Sequence, residues 1–241
     1  MQNAIPFRDI DTVFLDVGNT LVSMDYVWIR DELETVGVSS ELETLKRAEA
    51  ASRPVVSHAI ATMGSTEGVS WFELYLKTIL ERLGVPARES PALVESLVTV
   101  FRGPGRERLW SWVLPGVPEA LEELRSLGRR LHVVSNSDGT VERVLERQGL
   151  RGYLESVFDS HLVGFEKPDP RFFLHALETT GARADTTLHV GDLYAADIEG
   201  GRAAGVHTAL VDPYDDWTGV DCPRFADLEA LARAFRANVS P

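Results

Sequence analysis

Cysteine is nearly absent. The chain has 241 residues and a single Cys, at position 222. That excludes an intrachain disulfide and a thiolate-rich metal site, and nothing demands an oxidising compartment. Lysine is almost as scarce: Lys46, Lys77 and Lys167 are the three. Most positive charge is therefore arginine, and each lysine needs a reason. With 24 Lys and Arg against 37 Asp and Glu, the formal net charge is −13. So acidic a chain is a poor partner for nucleic acid, which needs surplus basic side chains on one face. Long apolar runs are missing too. None is long enough to span a bilayer, and the opening MQNAIPFRDIDTVFLDV meets Arg8, Asp9 and Asp11 before any apolar stretch, so neither a signal peptide nor a membrane partner is expected. A cytoplasmic chain, monomeric or homodimeric, is the expectation.

What is present is a set of short apolar runs. Val13–Leu15, Leu131–Val134, Leu188–Val190 and Val206–Val211 read as buried strands. Stretches of helical period lie between the later ones: Val117–Leu127 closed by Gly128, Val141–Leu150, Arg171–Thr180, and Ala195–Ala204 closed by Gly205. Asp169 and Pro170 are suited to the N-cap and first helical position of the third. The alternation predicts an α/β fold, a Rossmann-like parallel sheet with helices on both faces. Residues 25–104 break the pattern. Tyr26–Thr35, Glu41–Ala50, Trp71–Leu83 and Ala92–Phe101 read as helices punctuated by Gly37, Pro54, Gly64, Gly68 and Gly84, leaving through Gly103-Pro104-Gly105. The expected organisation is a core of residues 1–24 and 105–241, with residues 25–104 inserted as a helical bundle after the first strand.

In an open parallel sheet, ligands bind beyond the carboxyl ends of the strands. Asp16 follows the first apolar run and leads into Gly18-Asn19-Thr20. Ser135-Asn136 follows the second. Gly191-Asp192 follows the third, with Asp197 five residues beyond Asp192, and Lys167 sits beside Pro168 in the connection before it. A carboxylate nucleophile, a hydroxyl, a lysine and further acids suit phosphoryl transfer. Clustered carboxylates repel and invite a hard dication such as Mg²⁺, which prefers oxygen ligands. Lys167 and Ser135 can hold the oxygens of a dianion, and the amides of the Gly18–Thr20 turn can add an anion nest.

The ordered set DxxxT, SN, K and GDxxxxD resembles the haloacid dehalogenase (HAD) superfamily, and the insertion resembles its C1-type cap. The resemblance covers essentially the whole chain. It implies that Asp16 is the nucleophile and a Mg²⁺ ligand, and that Gly18 offers its carbonyl to the metal. Asn19, Thr20, Ser135 and Asn136 would line the phosphate site. Lys167 would neutralise both nucleophile and phosphate. Asp192 would bind the metal, and Asp197 would support it directly or through water. The implied activity is hydrolysis of a small phosphorylated metabolite through a phosphoaspartate.

Gly18 departs from that pattern. Phosphatases of the superfamily usually carry a second Asp there, which protonates the leaving group and activates water. A positioned acid or base is worth roughly 10²–10⁴-fold in rate. Asp25, His58 and Asp138 are the candidate substitutes. Without one, good leaving groups such as aryl or acyl phosphates are expected to be favoured. A 2-haloacid dehalogenase would need no acid, but does not share the Gly-Asp pair. A weakly active ligand-binding or protein-interaction relative is the other alternative. A carbon–phosphorus hydrolase would need a cap lysine, Lys46 or Lys77. Trp28, Trp71, Trp110 and Trp112 read mostly as bundle core or cap–core packing, with one of the four, not singled out, able to touch substrate. His132, His189 and His207 read as strand packing, and Asp212, Asp215 and Asp216 as a solvated loop.

Overall fold

The structure is a computed structural model that describes residues 4–63, 69–103 and 106–239. Gly64, Gly68 and the Pro104-Gly105 exit lie outside the described residues. Strand β1 (Thr12–Leu15) ends at Asp16, and β2 (Val22–Met24) follows after a turn. Five helices come next: α1 (Tyr26–Thr35), α2 (Leu42–Ala50), α3 (Arg53–Met63), α4 (Val69–Arg82) and α5 (Ser90–Arg102). A short α6 (Arg106–Leu109) leads into β3 (Trp110–Val113). The alternation then begins: α7 (Val117–Ser126), β4 (Arg130–Ser135), α8 (Val141–Arg147), β5 (Ser156–Asp159), a turn of helix α9 (Ser160–Val163), α10 (Pro170–Thr180) and β6 (Thr187–Gly191). A π-helical turn over Tyr194–Glu199 passes into α11 (Gly200–Ala203), then β7 (His207–Val211), β8 (Arg224–Phe225) and α12 (Leu228–Val239).

Six strands form a parallel sheet in the order β5-β4-β1-β6-β7-β8. Side chains alternate across it, as the strand period requires. Val13 and Leu15 join the cluster beneath α7, α8 and α12, whereas Phe14 points to the opposite face with Phe172, Phe173 and Ala176 of α10. β1 lies between β4 and β6, where the strand order reverses. That switch point places the carboxyl ends of three strands side by side.

Helices α1 to α5 bury an apolar cluster of their own around Leu33, Leu45, Ile60, Tyr75, Leu97 and Phe101. Beneath them β2 and β3 pair antiparallel, Met24 opposite Trp110. The sequence reading placed Pro54 between helices. It instead occupies the first turn of α3, where a proline's missing N–H costs nothing. α3 packs on the π-helical turn, and Ser57 Oγ accepts the Ala195 N–H at 2.8 Å. β2, β3, β5 and β8 were not anticipated: each has two to four residues, too few for a period to register. Asp169 caps α10 by accepting from the Arg171 N–H at 2.9 Å, and Pro170 takes the first position, as read. Ala195–Ala204 is not one regular helix, since its first turn is wider, of π type. Asp212 is buried rather than solvated. It holds its loop by accepting from Asp216 N and Trp217 N, and pairs with Arg224 at 2.7 Å.

Candidate active site

Asp16 leaves β1 at the centre of the sheet, its N–H donating to Val190 O of β6. Ser135, the last residue of β4, stands on one side. Its Oγ donates to Asp16 Oδ1 at 2.9 Å. Lys167 Nζ donates to the same oxygen at 2.7 Å and to Asp197 Oδ1 at 2.7 Å. All four side chains are buried. Burial alone would push the Lys167 ammonium down, but Asp16 and Asp197 more than offset it and hold it well above its usual value. Burial raises the Asp16 carboxyl, against the pull of Lys167. Asp197 also loses water, yet Lys167 and His189 hold its carboxyl well below the usual range. Lys167 thus remains a cation between two acids at neutral pH.

Asn136 lines the cavity, but its carboxamide is spent on the backbone of Lys167. Nδ2 donates to Lys167 O and Oδ1 accepts from Lys167 N, each at 2.8 Å. The Gly18–Thr20 turn is less of an anion nest than expected. The amides of Asn19 and Thr20 donate to Val22 O and Val17 O within the turn. Thr20 is buried away from the cavity wall with an unpartnered Oγ1. Asn19 stands at φ 51° in the left-handed region, which asparagine tolerates. Its Nδ2 lies 3.2 Å from Asp192 Oδ2, 3.2 Å from Tyr75 OH and 3.3 Å from Glu49 Oε1.

Those contacts lead into a network that the sequence reading missed. Glu49, on α2, is 1% exposed. It accepts from Tyr26 OH at 2.8 Å, from Tyr75 OH, and from Arg53 in a bidentate pair at 2.8 and 2.7 Å. Arg53 Nε also lies 3.6 Å from Asp192 Oδ2. Glu49 and Arg53 are four residues apart, across the α2–α3 junction, a spacing that could have flagged them. Their burial could not be read, because the alternation of charged and apolar residues there looks like any solvated helix face.

Among the described residues no hydrogen bond ends on Asp16 Oδ2, Asp192 Oδ1 or the Gly18 carbonyl. Burial raises the Asp192 carboxyl well above its usual value; Arg53 opposes this and Asp16 adds to it. Two buried carboxylates, each with one oxygen not engaged in a hydrogen bond, and a carbonyl are hard oxygen donors, which fits Mg²⁺. Asp197 does not join them. Its Oδ1 accepts from Lys167 and from His189 Nε2 at 2.9 Å, and its Oδ2 from Leu193 N at 2.9 Å. Accordingly, no group of three His, Cys, Asp or Glu among the described residues is arranged to hold a metal. A cation here would meet two acids and a carbonyl, while Asp197 serves Lys167. Gly191 belongs to the same construction, for a Cβ there would collide with the Asp197 carboxyl.

Above Asp16 opens a cavity of about 580 Å³. Two partly exposed indoles, Trp71 and Trp110, line it, with Phe72, Tyr75 and Phe101 buried behind its surface. Trp110, read as packing, stands beside Gly18. A Cβ at position 18 would lie 3.6 Å from Trp110 Cζ3 and 3.8 Å from Asp16 Oδ2. Of the three candidate acids, Asp138 lines the cavity. Asp25 instead caps α1 and pairs with Arg108 at 2.8 Å, and His58 is exposed on α3. Lys46 pairs with Glu43 and Lys77 with Glu81, both outside the cavity, so no cap lysine among the described residues reaches the site.

The family model for haloacid dehalogenase-like hydrolases matches residues 10–205. The human haloacid dehalogenase-like hydrolase domain-containing protein 3 is 33% identical over 180 residues, which cover 73% of this chain and 70% of that protein. Phosphoglycolate phosphatase of Aquifex aeolicus is 37% identical over 119 residues, 48% of this chain and 55% of that one. Among solved structures, the magnesium-bound HAD-hydrolase YfnB of Bacillus subtilis superposes with a TM-score of 0.65 at 22% identity, covering 94% of this chain and 98% of its own. With its motifs gathered at one switch point and this match along most of its length, the chain belongs to the haloacid dehalogenase-like hydrolase family.

Proposed function

We propose that the protein is a magnesium-dependent phosphohydrolase that acts on a small phosphorylated molecule through Asp16. The observation that carries this reading is the bridge of Lys167 between Asp16 and Asp197. With Ser135 it fixes Asp16 Oδ1 and leaves Oδ2 open towards the cavity. A carboxylate oxygen of Asp16 attacks phosphorus, the bond to the leaving oxygen breaks, and a phosphoaspartate forms. Water then attacks phosphorus, releasing phosphate and restoring the carboxylate. Lys167 and Ser135 neutralise and orient the phosphoryl oxygens as charge develops. Asp16 and Asp197 keep Lys167 charged, and His189 holds Asp197 in place. Asp16, Asp192 and the Gly18 carbonyl would hold Mg²⁺, which supplies further charge neutralisation at the phosphoryl group. The phosphatase name of the Aquifex aeolicus relative supports the same chemistry.

Hydrolysis of p-nitrophenyl phosphate tests it. Turnover that stops in EDTA, returns with Mg²⁺ and disappears in Asp16→Asn is the expected result. Gly18 also suits a dehalogenase, because a halide departs without a proton. Halide release from a 2-haloacid in EDTA, with no phosphatase activity, would replace this reading with that one.

A further inference from the structure

We propose that the leaving group is aromatic: the site is built to release a phenolate, stacked against Trp110 and Trp71, without protonating it. This rests on the phosphohydrolase reading above and narrows its substrate to aryl phosphate monoesters.

Two independent observations converge. The first is chemical. Position 18, beside the attacking carboxylate, carries no acid. A phenol has a pKa of about 10, whereas an alkyl alcohol lies near water, about 15.7. A phenolate can depart as the anion, its charge spread over the ring. An alkoxide cannot without a proton. The second is steric. The space that a side chain at 18 would enter is bounded by Asp16 Oδ2 and by the Trp110 ring. An indole edge therefore stands beside the space that the missing acid would enter. Trp71, stacked on Tyr75 with ring centres 5.6 Å apart, is the second partly exposed indole of the cavity, and Phe72 and Phe101 back that surface from the buried side. A flat ring leaving from phosphorus finds flat partners there; offset and edge contacts between rings are worth about 0.5–1.5 kcal/mol beyond burial. A cavity of about 580 Å³ holds an aryl phosphate with space for ring substituents.

The step balances. A carboxylate oxygen of Asp16 forms a bond to phosphorus, and the P–O(aryl) bond breaks with both electrons staying on the phenolate oxygen. Water later attacks the phosphoaspartate. Its proton leaves with inorganic phosphate or solvent, and Asp16 returns as a carboxylate.

Four substrates separate the ring from the leaving group: phenyl phosphate, benzyl phosphate, acetyl phosphate and glycerol phosphate. All are assayed with Mg²⁺ on the full chain, with Asp16→Asn as blank. Phenyl phosphate should exceed benzyl phosphate in kcat/KM by about 10²-fold or more, because both carry a ring but one leaving group needs a proton. It should exceed acetyl phosphate by about 10-fold, because both leave readily but one stacks. Trp110→Ala should reduce the phenyl-to-acetyl ratio by about 10-fold, and Trp110→Phe should restore most of it. If Trp110→Ala does not fold, Trp110→Leu reads the same ratio. Phenylphosphonate, which cannot be hydrolysed, should quench tryptophan fluorescence saturably, and less so in Trp110→Phe. Equal rates for phenyl and benzyl phosphate would mean that Asp138 or another wall residue supplies the proton, and would overturn the inference. So would a phenyl-to-acetyl ratio that ignores Trp110. Absence of Asp16-dependent turnover on all four would overturn the phosphohydrolase reading itself.

Discussion

The carboxamide of Asn136 pairs with the backbone of Lys167 as one strand pairs with its neighbour, donating to its carbonyl and accepting from its amide, both at 2.8 Å. The loop that carries Lys167 is thereby fastened to the end of β4, and the ammonium is aimed from a fixed origin. In Asn136→Asp the donor becomes an acceptor facing a carbonyl. That variant should lower kcat by about 10–10²-fold and destabilise by about 1–3 kcal/mol, the cost of an unsatisfied buried group. Asn136→Gln, which keeps both functions at a different reach, should be milder. Steady-state kinetics and urea unfolding read both.

Lys167 is 2% exposed and lies between two buried carboxylates. Replacing it by Met leaves both acids unpaired in a site that excludes water. Breaking a buried pair from one side costs about 3–5 kcal/mol. Lys167→Met should show that loss in urea unfolding with Mg²⁺ chelated, and adding Asp197→Asn should recover part of it. A variant as stable as the parent would mean that water reaches these acids.

The Glu49–Arg53 pair makes a similar prediction within the inserted helices. Arg53→Ala strands a 1% exposed carboxylate among two tyrosines and Asn19. It should destabilise by about 3–5 kcal/mol. Glu49→Leu combined with Arg53→Met removes both charges and should be far closer to the parent, because apolar replacements of similar volume avoid the desolvation cost. A double variant no better than Arg53→Ala would show that hydrogen bonding through Glu49 outweighs its burial.

His132, on β4, sits edge-on to Phe14 with both ring nitrogens unpartnered by hydrogen bonds. Burial lowers its pKa from 6.5 to about 4. Between those values the unfolded chain binds a proton that the native state refuses, so stability falls as pH drops from about 6.5 towards about 4. His132→Leu should flatten that slope while keeping the fold, which urea midpoints at pH 7 and pH 5 would show. An unchanged slope would assign the loss to other groups.

Gly18→Asp supplies the missing acid. The backbone accepts a Cβ at ordinary van der Waals distance, 3.6 Å from Trp110 Cζ3. The carboxyl beyond it must share space with the indole. The variant should raise turnover of benzyl phosphate, on the order of 10²-fold, and shrink its deficit against phenyl phosphate. Adding Trp110→Ala should enlarge the gain. No change with either would show that protonation does not limit the slow esters.

The sheet was legible because buried parallel strands are near-continuous apolar runs, as at Val13–Leu15 and Leu188–Val190. The chemistry was legible because each motif residue stood at the end of such a run: Asp16, Ser135 and Asp192 needed no knowledge of side-chain contacts to be brought together. What could not be read were roles set by contact across long separations. Asn136 faces the cavity but serves Lys167, 31 residues away. Trp110 looked like packing because its proximity to Gly18 depends on β2 and β3 pairing beneath the inserted helices. Asp197 carries a metal-ligand spacing, yet a wide π turn and two basic side chains claim both of its oxygens.

A side chain at 191 would meet the Asp197 carboxyl, and that carboxyl is one of the two that hold the Lys167 ammonium. The hold on the ammonium therefore depends on a position that carries no functional group at all. What Gly191 contributes to the chemistry is the room it leaves.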